Sequence, residues 1–157
     1  MMSFRNLDAF LAHLATVPAA VKVAQKHGLE EGARLIEREA KDLIGQEYPG
    51  WEPLAESTVE EKRRLGYTGR DSATDPLYRT GELRASIQHR VDETSAQIGT
   101  DDPIAEYQEH GTTKMPPRPF MAPAAHRKGE AAANAIGKAV GHAVAGLRLP
   151  EPTNLNE

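Results

Sequence analysis

The chain has 157 residues, carries 19 Lys and Arg against 23 Asp and Glu for a formal charge of −4, and contains no cysteine. Its length suits one domain with a real core. The missing thiols exclude a disulfide frame, a thiol nucleophile and a thiolate metal site, and the acidic balance disfavours a surface that grips phosphate throughout.

With 39% hydrophobic and 27% charged residues, the composition suggests no apolar run long enough to span a bilayer, so no membrane partner is expected. Asp8 and His13 interrupt the N-terminal apolar stretch where an export signal would be continuous, which points to a protein that acts or is assembled inside a cell.

Residues 3–15 predict a short helix with Ser3 as a possible cap and Phe4, Leu7, Leu11 and Leu14 on one face. Thr16, Val17 and Pro18 mark a new start, and the run to about Gln46 predicts a long helix or two helices meeting near Gly28. Ala33, Ile36, Ala40 and Leu43 form its apolar stripe. Two prolines and a glycine around Trp51 exclude a regular element over residues 47–58. Ser57 and Glu60 have capping-box spacing for a short charged helix ending at Arg64. Residues 65–78 are polar and turn-rich and read as an exposed loop.

Thr80 suits the cap of a short turn over residues 81–86. Ile87, His89 and Val91 alternate, as do Ala96 and Ile98, predicting a hairpin turned through Asp92 and Glu93. Pro103, with Asp102 as cap, opens one or two helical turns that Gly111 ends. Pro116, Pro117 and Pro119 then hold the backbone extended and deliver Phe120 to the start of a last helix. That helix presents Ala132, Ile136, Ala139, Val140, Ala143, Val144 and Leu147 on one face. The pattern is a single α+β domain over residues 1–150, a small antiparallel sheet with a hairpin flanked by a long N-terminal helical region and a C-terminal helix, and a flexible tail over residues 151–157. The hairpin edge is open to pairing with another copy.

No constellation for catalysis stands out. The six histidines lack metalloprotease spacing, no nucleophile elbow occurs, and the glycines around Gly66 and Gly69 lack the lysine and hydroxyl of a phosphate loop. No metal or cofactor is expected. Glu106 and Glu109 offer the acid and base of a glycan hydrolase, although the wet side of a turn accounts for them as simply. Lys62, Arg63, Arg64 and Arg70 offer a phosphate-facing patch, weakened by Glu60, Glu61, Asp71 and Asp75. Trp51 reads as a core anchor, and Phe120 as a core anchor or a subunit contact.

Several segments occur in one order: Trp51, Pro53, Leu54, Thr58 and Lys62; Leu77, Thr80, Gly81, Leu83 and Ser86; Ile98 and Gly99; Tyr107, His110, Gly111 and Thr112; then Arg118, Pro119 and Phe120. This series resembles the phage virion morphogenesis family, the tail-completion or neck proteins of tailed bacteriophages of the Mu-like prophage type, over about residues 49–125. The resemblance implies a non-enzymatic virion protein at the head–tail junction or tail end, assembled in the host bacterial cytoplasm. It also implies a ring, commonly of six subunits, that meets other neck or tail proteins and lets DNA pass its lumen without sequence recognition. Candidate interface or motif residues are Trp51, Thr58, Lys62, Arg63, Arg70, Thr80, Gly81, Tyr107, His110, Gly111, Pro117, Arg118, Pro119 and Phe120. The alternatives are a small phage-encoded cell-wall glycan hydrolase and a DNA-binding accessory protein.

Overall fold

The computed structural model describes residues 6–150. The fold is α+β: helix α1 (Leu7–Leu43), α2 (Glu56–Arg64), α3 (Glu82–Ser86), an antiparallel hairpin of β1 (Gln88–Val91) and β2 (Ala96–Gly99), α4 (Pro103–His110) and α5 (Met121–Val144). These residues form two compact units. The first comprises described residues up to Leu35, Arg90–Gln97 and those from Gly129 on; the second comprises Ile36–His89 and Ile98–Lys128.

The expected break at Pro18 is absent. One 37-residue helix runs through it, and its described cap is Asn6, whose side-chain oxygen accepts the Ala9 N–H at 2.9 Å; the predicted cap Ser3 lies outside the described residues. An interior proline removes one backbone hydrogen bond and crowds the preceding turn. The damage is local, and the helix is continuous on both sides of it. The expectation that no segment could span a bilayer also fails. By length and composition α1 is long and apolar enough, with a mean hydropathy of 1.4 over an 18-residue stretch of which only 6% is buried. Asp8 and His13 break the run by eye without lowering the average enough.

In the first unit Gly28, expected as a possible break, is instead the closest point of an antiparallel helix seam. A Cβ there would lie 2.6 Å from Ile136 Cα, and one at Gly32 would lie 3.0 Å from the Ala132 Cβ. Ala24 packs with Ala139 and Ala143, with Ala20, Val21 and Leu149 around them. Small residues at 20, 24, 28 and 32 thus bring α1 and α5 together at four-residue intervals. The end of α5 is closed by Leu147 N–H to His142 O (2.8 Å) and Gly146 N–H to Ala143 O (3.1 Å), with Gly146 at φ +64, the paired bonds of a left-handed helix stop. Leu147 therefore falls past the helix and is 57% exposed, not on its packed face as expected.

The second unit's core joins Ala40, Leu43 and Ile44 of α1 to Leu83, Ile87, Ala105, Phe120 and Ala124, with Trp51, Tyr48, Leu77 and Ile98 packed on it. Phe120, Ile44 and Ile87 are its largest fully buried side chains, each worth about 1.5–3 kcal/mol of apolar burial. Phe120 thus takes the core role, leaving no surface for a subunit contact. α2 begins at Glu56 after Ala55, with no side-chain cap. The Ser57–Glu60 capping box is not formed, because the helix already starts before Ser57. The hairpin and α4 follow the sequence expectation. Asp92 accepts the Thr94 and Ser95 N–H groups at 2.9 and 2.7 Å to set the turn, and Asp102 caps α4 through Ile104 N–H at 2.9 Å.

Candidate assembly groove

The predicted motif residues of the second unit come together through two charged side chains that reach backbone carbonyls. Lys62 projects from α2, is only 7% exposed, and donates from Nζ to Asp75 O at 2.9 Å. Burial pushes its pKa down, and the nearby Asp75 charge partly offsets that. The Asp75 carboxylate accepts the N–H groups of Asp71 (2.7 Å) and Ser72 (3.0 Å). Burial pushes the Asp75 pKa up, but these and the Arg70 N–H, with Lys62 nearby, hold it below the usual carboxylate value. Gly69 makes the turn possible, since it sits at φ +68 and a Cβ would lie 1.9 Å from Ser72 O. The segment expected as a plain exposed loop is therefore pinned at its base by Lys62, and again by Gly45 N–H to Pro76 O at 3.0 Å.

The proline corner is held the same way. Arg118 is 5% exposed and donates from Nη2 to Glu52 O at 2.9 Å and Pro53 O at 3.3 Å, and from Nε to Glu52 O at 3.3 Å. Its backbone N–H donates to Gln108 O at 2.7 Å. The guanidinium thus ties the Trp51 loop to the corner, which its fixed fork of donors suits, while the Arg118 backbone N–H ties the corner to α4. Gly111, at φ +71, ends α4, and residues 112–115 close a tight turn by Thr112 N–H to Met115 O at 2.8 Å and the reverse bond at 3.3 Å.

Sequence reasoning missed the role of Glu109. Its carboxylate accepts the N–H groups of Phe120 (2.8 Å), Met121 (3.0 Å) and Ala122 (2.9 Å), so it caps α5 from eleven residues upstream. A signal existed: α5 opens without an acidic residue in its first turn, and the residue before it, Phe120, has no side-chain acceptor. The acid–base role weighed for Glu109 competes with three existing hydrogen bonds.

Around these ties lies a groove of about 830 Å3, lined by residues 52–55, by Thr58, Glu61, Lys62 and Leu65 along α2, by residues 77–83, by Ile104 and Gln108 of α4, and by residues 114–116 and Arg118. Leu65 and Ile104 are 43% and 51% exposed there. A second cleft of about 400 Å3 is bounded by residues 110–117. Of the predicted residues, Thr58, Lys62, Thr80, Gly81 and Arg118 line the groove, and His110, Gly111 and Pro117 line the cleft. Trp51 packs beneath on the core, its ring tilted 39° to that of Tyr48 with centroids 5.3 Å apart. Its Nε1, like Gln108 Oε1, is buried without a hydrogen-bond partner. Tyr107 is 54% exposed and outside both cavities, while Pro119 is half-buried between Arg118 and Phe120.

The basic patch is not one surface. Lys62 is buried and committed to Asp75, Arg63 and Arg64 are exposed, and Arg70 sits 4.0 Å from the Asp71 carboxylate. Elsewhere in this unit His89 and Lys41 both bond the Glu37 carboxylate. Burial pushes the Glu37 pKa up, and those two partners outweigh it and hold it low. Glu39 shows the same balance against Arg127 at 2.9 Å and Lys128 at 3.4 Å. Among the described residues, no cluster of three or more His, Cys, Asp or Glu is placed to hold a metal ion. No family model, curated protein or solved structure matches the chain.

Proposed function

We propose that this chain is a structural subunit of a tailed-phage virion that completes the tail or neck and helps join head to tail by assembling with copies of itself, not by catalysis. The proposal rests on the ordered motif series, and one observation supports it: the shared residues build a shaped surface. Thr58, Thr80 and Gly81 line the groove, while Lys62 and Arg118 direct their charges to backbone carbonyls that hold its walls. The groove and the second cleft, which meet at residues 114–116, form one shaped face that a different face of a neighbouring copy would fill. Ring closure uses contacts between unlike faces. In this reading the ring is commonly six-membered, adjoins other neck or tail proteins, and lets DNA pass without sequence recognition.

The test is to locate the chain in purified virions by electron microscopy and to delete it. The expected result is a ring at the neck or tail end, with heads and tails left unjoined by deletion. Absence from virions, together with normal joining after deletion, overturns the proposal. Replacing Pro117 and Pro119 by Ala is expected to impair ring or virion assembly more than it lowers the melting temperature. Equal loss of both returns the corner to fold support alone.

A further inference from the structure

In the first unit α1 outruns the helix it packs on. The seam pairs Gly32 with Ala132 and Gly28 with Ile136, and Ala24 meets Ala139 and Ala143. Continuing that antiparallel register sets the end of α5 opposite about residue 20. Residues 7–19 therefore run on as a helical arm about 20 Å long at 1.5 Å per residue. On one face of the arm, Leu7, Leu11 and Leu14 are 69%, 53% and 46% exposed. Beside its root, Val144 and Leu147 are 51% and 57% exposed. The arm is the continuous first part of the 37-residue α1, and α5 ends before it and so does not cover this stripe.

We infer that residues 7–19 dock antiparallel on α1 of a second copy of this chain, forming a two-fold pair. Charge selects the occupant. Asp8 and Lys22 flank the leucine stripe on the same side, because fourteen residues are close to four helical turns. Neither has an ion-pair partner among the described residues. In an antiparallel pair centred near Ala15, Asp8 of each copy faces Lys22 of the other, so the attraction occurs twice. A parallel pair instead keeps Asp8 level with Asp8 and Lys22 level with Lys22, about 20 Å apart along the axis, and forgoes both attractions. The same docking brings Leu7 and Leu11 of one arm toward the apolar root of the other, and Ala15 lets the backbones approach. A bilayer surface fits less well, since helices that lie on membranes carry a polar face rich in Lys and Arg, whereas this arm carries Asp8 and His13.

The inference does not rest on the phage reading, because residues 7–22 lie outside the matching series. Its test is the mass of the full chain in solution by sedimentation and light scattering over a wide concentration range. Twice the monomer mass is expected. Asp8→Lys should weaken association roughly tenfold by turning two attractions into repulsions, and the exchange Asp8→Lys with Lys22→Asp should restore it. Leu11→Glu with Leu14→Glu should halve the mass of the pair while far-UV circular dichroism keeps its helical signal. A wild-type chain that is monomeric throughout overturns the inference, as does failure of the charge exchange to restore pairing. Binding of the monomer to phosphatidylglycerol vesicles, lost in the Leu11→Glu, Leu14→Glu variant, assigns the face to a bilayer and also overturns it. A ring whose mass ignores every arm variant overturns this inference and leaves the ring proposal standing; paired arms without a ring in solution support this inference, and the virion test alone decides the ring.

Discussion

Replacing Gly28 by Ala tests whether the seam between α1 and α5 is set by backbone contact. The added methyl would lie 2.6 Å from Ile136 Cα, 3.2 Å from Ile136 N and 3.3 Å from Ala135 O. All three are backbone atoms, so no side-chain rotation relieves the clash and the helices must move apart. Overpacking costs about 1–3 kcal/mol, and the upper half of that range applies where backbone must shift. Alanine returns about 1 kcal/mol of helix propensity, leaving a net loss of about 1–2 kcal/mol. Gly137 supplies the control, since a Cβ there meets nothing within 4 Å and the residue is exposed within α5. Gly137→Ala should therefore gain about 0.5–1 kcal/mol by propensity alone. Thermal and urea unfolding read both variants, with about 2–4 °C expected per kcal/mol at this chain length. Opposite signs are the expected outcome. A Gly28→Ala protein as stable as Gly137→Ala would refute the close seam.

Glu109→Ala should cost about 1–2 kcal/mol, because it removes the acceptor for three N–H groups at the start of α5. Glu109→Gln keeps one acceptor and should lose less, and hydrogen exchange at Phe120, Met121 and Ala122 localises the effect. Arg118→Lys keeps the charge but not the fork that spans Glu52 O and Pro53 O; a drop in urea midpoint with faster exchange around residues 51–54 is expected, and an unchanged midpoint counts against the tie. The depressed pKa values of Glu37 and Glu39 give a signed pH dependence. Their stabilisation is complete above the ordinary carboxylate value of 4.5 and is lost as pH falls through their lower folded-state values. Unfolding midpoints should therefore hold from neutral pH to about 5 and decline below 4.5, less steeply in a Glu37→Gln, Glu39→Gln variant.

Local chemistry determined much of this protein. Period-two alternation at Ile87, His89, Val91, Ala96 and Ile98 marked the hairpin, and Asp102, Pro103 and Gly111 marked both ends of α4. The prolines after Met115 marked a non-helical path to Phe120 and the start of α5. Each of these features is decided by residues within a turn or a strand of one another. Pro18 shows where local rules stop, because the cost of one lost backbone bond does not end a helix that runs 37 residues. Gly28 has the same lesson in reverse: a residue that weakens an isolated helix becomes the point where two helices touch.

The groove depended most on tertiary structure. Thr58, Thr80, Gly81 and Arg118 were singled out from one ordered series, yet nothing in their spacing said that they share a wall. Lys62 read as one of several exposed cations, although its stem is buried and its ammonium holds Asp75 O. Glu109 read as a possible acid, and only the return of the chain at Phe120 made it a helix cap. Sequence alone determines what a side chain can donate or accept; which backbone atoms it meets is settled when distant segments pack, because that pairing carries no local sequence signature.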